Sequence, residues 1–107
     1  MPPYQKVVRD GIPGLLDGLG KHPKARRLDG AALVLGLRAK LDEEIAEFDA
    51  AANREARLGE LANVLEVVVA LAAASGASED ELNQHRAAKA AARGSFAEGW
   101  FLESADG

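Results

Sequence analysis

At 107 residues, 48% hydrophobic and 5% aromatic, the chain has the material for one domain, residues 1–107, with a modest core rich in alanine and leucine. A net charge of −4 argues against any role built on gripping a nucleic-acid polymer, and the lack of cysteine excludes disulfides, thiolate nucleophiles and cysteine–zinc sites. The start, Met1-Pro2-Pro3-Tyr4-Gln5-Lys6, is no apolar leader, and the longest apolar run, Val67 to Ala74, is too short to span a bilayer. A soluble cytoplasmic protein with no membrane partner is the expectation.

Taken in order, Val7-Val8 sits between charged residues, and Asp10 is placed to cap a short helix with Pro13 in its first turn and Leu15 and Leu16 pointing inward. Gly18 and Gly20 end it. Residues 20–28 carry Pro23 and several cations without a helical period, which predicts a basic loop. Asp29 is a plausible N-cap for a long helix in which Val34, Leu37, Leu41, Ile45 and Phe48 form one apolar stripe. Gly36 weakens its second turn by roughly 1 kcal/mol. Asn53 to Arg57 reads as a short polar connection, so the next helix lies antiparallel beside the first. Leu58, Leu61, Leu65, Val68 and Ala72 form its predicted apolar face, widened towards Glu60 by Val64, Val67 and Leu71. Gly76 suits a left-handed helix end, and Ser78-Glu-Asp-Glu81 is a capping box for a last helix that stops at Gly94. Residues 95–104 are aperiodic but hold Phe96, Trp100 and Phe101, which predicts a tail folded back onto the core. The fold class is all-α, a four-helix bundle.

Two carboxylate clusters dominate this plan: Glu43-Glu44-x-x-Glu47 on the first long helix and Glu60-x-x-Asn63 on the second. At 100° per residue, Glu44 falls about 60° from the centre of the apolar stripe, Glu47 about 120° and Glu43 about 160°, all on one flank. On the second helix Glu60 lies about 120° and Asn63 about 180° from the centre of the face. Crowded carboxylates beside apolar surface repel one another and lose hydration, so either they are solvated surface groups or a cation compensates them. An all-oxygen donor set suits a hard divalent cation, Mg²⁺ or Mn²⁺. Lys40 shares the flank of Glu44 and Glu47, either as an i,i+4 partner of Glu44 or as a phosphate contact. Lys89 and Arg93, four apart near a helix end, either complement the helix dipole or capture phosphate. His22 and His85 read as exposed bystanders.

Lys6-Val-Val-Arg-Asp10-Gly-Ile-Pro13, Glu43-Glu44-x-x-Glu47, Glu60-Leu-Ala-Asn63-Val-Leu-Glu66 and Arg93-Gly-Ser-Phe96-x-x-Gly99-x-x-Leu102 together resemble the MazG-like, all-α nucleoside triphosphate pyrophosphohydrolases. Within them the resemblance is to the small single-domain branch like phosphoribosyl-ATP pyrophosphohydrolase, over about residues 4–103. It implies a Mg²⁺-dependent cut between the α- and β-phosphates of a nucleotide substrate, releasing a nucleoside monophosphate and pyrophosphate. By the same resemblance, Glu44, Glu47, Glu60 and the Asn63 position are metal ligands. Glu43 is a further ligand or orients the attacking water, and the resemblance favours capture of the leaving pyrophosphate by Lys89 and Arg93, with Lys40 kept as a candidate phosphate contact from its position. It also implies a homo-oligomer, dimer or tetramer, whose partner helices wall the pocket. One departure stands out. The family has Asp where this chain has Asn63, and an amide brings no charge to the cation. The alternative reading is therefore a weakened or inactive homologue that binds metal or nucleotide.

Overall fold

A computed structural model describes residues 5–107, so Tyr4 and the first three residues, where the resemblance and the leader reading begin, lie outside it. Four helices follow in order: α1 (Ile12–Gly18), α2 (Gly30–Ala50), α3 (Arg54–Ala74) and α4 (Glu79–Arg93). No strand occurs among the described residues. The all-α expectation therefore stands, and no single described helix is long and apolar enough to cross a membrane.

Local signals set most boundaries. Asp29 occupies the N-cap position of α2, but its side chain makes no capping bond. Asn53 does cap: its Oδ1 accepts from the Ala56 N–H at 2.9 Å, so α3 starts at Arg54 and the connection shrinks to Ala51–Asn53. Residues 54–57, read from sequence as loop, are instead the first turn, because a capped N–H and the acidic Glu55 favour helix there. At the other end Gly76 adopts φ 92°, Ala77 N–H bonds Ala72 C=O at 2.9 Å and Gly76 N–H bonds Ala73 C=O at 3.0 Å, the paired closure that a left-handed residue permits. Ser78 and Glu81 form the reciprocal capping box, Glu81 N–H donating to Ser78 Oγ at 3.1 Å and Ser78 N–H to Glu81 Oε1 at 3.2 Å. For α1 the expectation fails in part. Gly11, not Asp10, holds the N-cap without a side-chain bond, and Leu15 is exposed.

The α2–α3 hairpin is the structural centre. Leu37 and Val67, equally distant from its connection, are the buried apolar pair; the only other buried residue among those described is Glu44. The packed face of α2 thus runs Leu33, Leu37, Lys40, Leu41, Glu44 and Phe48, and its centre lies within about 20° of Glu44 rather than on the far side of a flank. On α3 the packed face is Glu60, Asn63, Val64, Val67 and Leu71, whereas Leu58, Leu61 and Leu65 are exposed, Leu65 at 62%. The predicted apolar face of this helix is therefore corrected. α3 has two apolar faces about 130° apart, and α2 covers the one that carries Glu60.

The rest is open. α4 meets only α3, bent from it by 110°. The tail does not fold back: Phe96, Trp100, Phe101 and Leu102 are all exposed, Phe96 fully. The radius of gyration is 17.7 Å, against about 13 Å for a compact chain of this length. The accessible surface of 9216 Å² exceeds by more than half the roughly 5,700 Å² of a compact monomer of this mass.

Gly36 marks where the N-terminal segment crosses α2. A Cβ built there would meet Val7 Cγ2 at 2.6 Å and Leu28 Cδ1 at 3.3 Å. Valine is stiff at χ1, so relief requires the whole segment to move. An exposed helical Gly→Ala change ordinarily gains about 1 kcal/mol. Gly36→Ala is expected instead to lose stability, by about 1–3 kcal/mol in urea unfolding, and Gly36→Ala with Val7→Ala to recover most of the loss. A plain gain from Gly36→Ala alone would show that the segment does not pack there.

Candidate functional site

Three carboxylates converge between α2 and α3. Glu44, Glu47 and Glu60 each offer an oxygen within 4.8 Å of the others'. The register of the hairpin explains this: Glu44 and Glu60 stand at equal distances from the connection, and Glu47 is one turn along from Glu44 on the same side. Glu44 is only 5% exposed, and its Oε2 is buried without a hydrogen-bond partner. Such an orphan costs about 1–3 kcal/mol, more when charged. Its Oε1 lies 3.3 Å from Lys40 Nζ, which is also 3.4 Å from Glu43 Oε2.

The N-terminal segment brings two further cations, Arg9, for which the sequence leaves open an ion pair with Asp10 or a role in the site or a subunit contact, and Lys6, which it does not single out. Lys6 Nζ donates to Glu43 Oε1 at 2.7 Å. Arg9 Nη2 donates to Asn63 Oδ1 at 2.6 Å, and Asn63 Nδ2 donates to Glu60 Oε2 at 3.3 Å. Asn63 is thus a bridge with a fixed orientation: its N–H side faces a carboxylate and its carbonyl faces a guanidinium. An aspartate there would have no proton to give Glu60. The signal that finds Lys6 and Arg9 in retrospect is Gly36, since a helix glycine with no turn to serve marks a close approach by another segment.

Charge follows this geometry. The Lys6 ammonium beside Glu43 holds its carboxyl below the usual value, and Glu43 in turn raises Lys6. The Glu60 carboxyl is pushed up, first by its hydrogen bond with Glu44 and then by burial. Burial works against the Glu44 charge, but the bonds from Glu60, Lys40 and Asn63 outweigh it and keep Glu44 below the usual value. Metal-free, Glu60 therefore holds its proton more tightly than Glu44 does. An unpartnered buried oxygen amid three convergent carboxylates fits a hard divalent cation, and Glu44, Glu47 and Glu60 are the residues that would hold it.

A groove of about 880 Å³ opens beside the cluster. Leu33, Leu37, Val67, Ala70 and Ala73 are among its apolar lining, with Val8 and Ile12, and Arg9, Asp10, Lys40, Glu44, Asn63 and Glu66 are its polar lining. Of the residues expected at the site, Lys40, Glu43, Glu44, Glu47, Glu60 and Asn63 are together. Lys89 and Arg93 are not: they sit on α4, which does not pack on α2, and both are exposed. Lys40 is seated as the i,i+4 partner of Glu44 and lines the groove as well.

No family model and no solved structure matches the chain. A stretch of 53 residues is 45% identical to an uncharacterised protein of Mycolicibacterium smegmatis, covering 50% of this chain and 54% of that protein. The chain therefore spans about half the length of the curated relative it matches.

The titration of the cluster has a definite sign. Glu60, raised in the fold, binds a proton there that the unfolded chain has released, so stability falls as pH rises from its ordinary 4.5 through its higher folded value. Glu43 and Glu44, lowered, contribute stability above 4.5 that is lost below it. In chelator the melting temperature is expected to rise as pH drops through the raised Glu60 value towards 4.5 and then to fall. Glu60→Gln should flatten the first limb. A flat wild-type profile over that limb would mean the Glu60 carboxyl is not raised.

Proposed function

We propose that the chain is a metal-dependent nucleotide pyrophosphohydrolase, cleaving the α–β phosphoanhydride of a nucleoside triphosphate to a nucleoside monophosphate and pyrophosphate. The observation that carries this reading is the buried, unpartnered Glu44 Oε2, which belongs both to a cluster of three convergent carboxylates and to the lining of a groove. The volume lies within the roughly 300–1,000 Å³ usual for small-molecule sites. The resemblance of the flanking motifs to the MazG-like pyrophosphohydrolases names the reaction.

Mg²⁺ or Mn²⁺, when bound, lowers the pKa of water and neutralises charge that builds on phosphate oxygens. The chain's own residues do the rest. Glu44, Glu47 and Glu60 hold the cation, and Asn63, by its bond to Glu60, fixes that carboxylate's rotamer. Glu43, itself held by Lys6 and Lys40, accepts a hydrogen bond from the attacking water and orients it. Lys40 faces the groove as a phosphate contact. The water oxygen bonds to phosphorus as the bridging P–O bond breaks, and the water's proton leaves through the carboxylates. The apolar walls receive the nucleoside.

The second reading, a homologue that binds but no longer turns over, is favoured by the Asn63 carbonyl being engaged by Arg9. Pyrophosphate release separates the two. With a panel of nucleoside triphosphates and Mg²⁺ or Mn²⁺, at least one should be hydrolysed, and Glu44→Gln or Glu47→Gln should each lower the rate by about 100-fold or more. No release across the panel, with Mn²⁺ still bound, would leave the binding reading standing.

The reading includes a homodimer or tetramer. Ile45, Leu58, Leu61 and Leu65 are exposed apolar surface on the hairpin, and one chain leaves the groove shallow. Lys89 and Arg93 would reach a phosphate only from a neighbouring copy. Light scattering at micromolar concentration is expected to give a multiple of the 11.2 kDa chain mass; the mass of a single chain would refute it.

A further inference from the structure

The cations around the groove and the carboxylate cluster are not equivalent. Lys6 is spent on Glu43, and Lys40 lies between Glu43 and Glu44. Arg9 differs: among the described residues no carboxylate lies within ion-pair distance of its guanidinium, and its one hydrogen-bond partner is the neutral Asn63 oxygen. A guanidinium has five donors in a planar fork suited to phosphate oxygens. Here one donor is spent on holding the fork in place, and the charge is not cancelled. The position is maintained twice over, by the Asn63 amide and by Val7 seated over Gly36 two residues earlier in the chain.

We propose that Arg9 is an anion-binding residue of the groove, and that Asn63 is an amide because its carbonyl anchors Arg9 without neutralising it. The ligand class is a polyphosphate, gripped between the guanidinium on one side and the cation of the carboxylate cluster on the other. This rests on the pyrophosphohydrolase reading and adds to Lys40 a second phosphate contact, the one whose charge no described carboxylate pairs with. It also reverses the meaning of Asn63. As a degraded metal ligand, Asn63→Asp should improve everything. As an anchor, the same change should tighten the cation and weaken the polyphosphate, because the new carboxylate would pair with Arg9.

Calorimetry on the full chain tests this with Mn²⁺ alone and with α,β-methylene-ATP in the presence of Mn²⁺. Arg9→Gln is expected to leave Mn²⁺ affinity within about two-fold of wild type and to weaken the analogue by about ten- to a hundred-fold, the scale of hydrogen bonds to a charged group. Arg9→Lys should recover only part of that, since an ammonium lacks the fork. Asn63→Asp should tighten Mn²⁺ and weaken the analogue. Wild-type analogue affinity in both Arg9 variants, or Asn63→Asp tightening both ligands, overturns the inference while leaving the proposed function intact. Loss of Mn²⁺ binding together with helical circular dichroism in both Arg9 variants would make Arg9 a structural brace and overturn it equally. A wild-type chain that binds Mn²⁺ but never the analogue sinks the proposed function, and this inference with it.

Discussion

Everything in this structure is arranged around a carboxylate in the wrong place for stability. Glu44 sits at the centre of the only helix–helix interface that has buried residues, at the same level as Glu60 on the facing helix. A leucine at position 44 would extend the Leu37–Val67 core by two turns and remove an orphaned oxygen. Instead the interface spends its best-packed position on a charge, and its neighbours temper that charge: Lys40 within ion-pair distance, and a Glu60 carboxyl raised above its usual value and bonded by the Asn63 amide. A site that costs stability at the middle of a thin core is what a binding function asks of a small domain.

The N-terminal segment belongs to the same balance. Without Lys6 and Arg9 the convergent acids of α2 and α3 would face only Lys40. The segment is irregular, and its hold on the hairpin is a valine over a glycine plus two polar contacts. Both polar contacts are exposed, and an exposed ion pair such as Lys6–Glu43 contributes only about 0.2–1 kcal/mol. The electrostatics of the site and the seating of this segment are therefore coupled: a change in the charge of the cluster alters how firmly the segment holds.

Much of this was legible in the sequence, for reasons that differ between residues. The helix boundaries at Gly76, Ser78 and Gly94 follow from local chemistry and needed no tertiary information. The convergence of Glu44, Glu47 and Glu60 followed from helical spacing and a short connection. Which face of α3 is covered did not follow. Leu58, Leu61 and Leu65 make as good an apolar stripe as Val64, Val67 and Leu71, and periodicity has no means of saying which of two stripes meets the partner helix. The same ambiguity misplaced Glu44 by about one side-chain width around α2. The contacts of Lys6 and Arg9, at sequence separations of 37 and 54 residues, were out of reach for any local pattern.

The two faces of α3 also divide its labour. The groove and its carboxylates lie on the face that carries Glu60 and Val67; the exposed leucines lie about 130° away, on a face that touches neither the cluster nor the N-terminal segment. Covering those leucines with a second copy would therefore leave the groove mouth free, so self-association and ligand binding need not compete for surface. Only α4 and the aromatic tail, which diverge from the hairpin, could be carried by such a partner towards another chain's groove. Lys89 and Arg93, on a helix that does not pack on α2, would meet a phosphate at the cluster only if the proposed assembly brings them to another copy's groove.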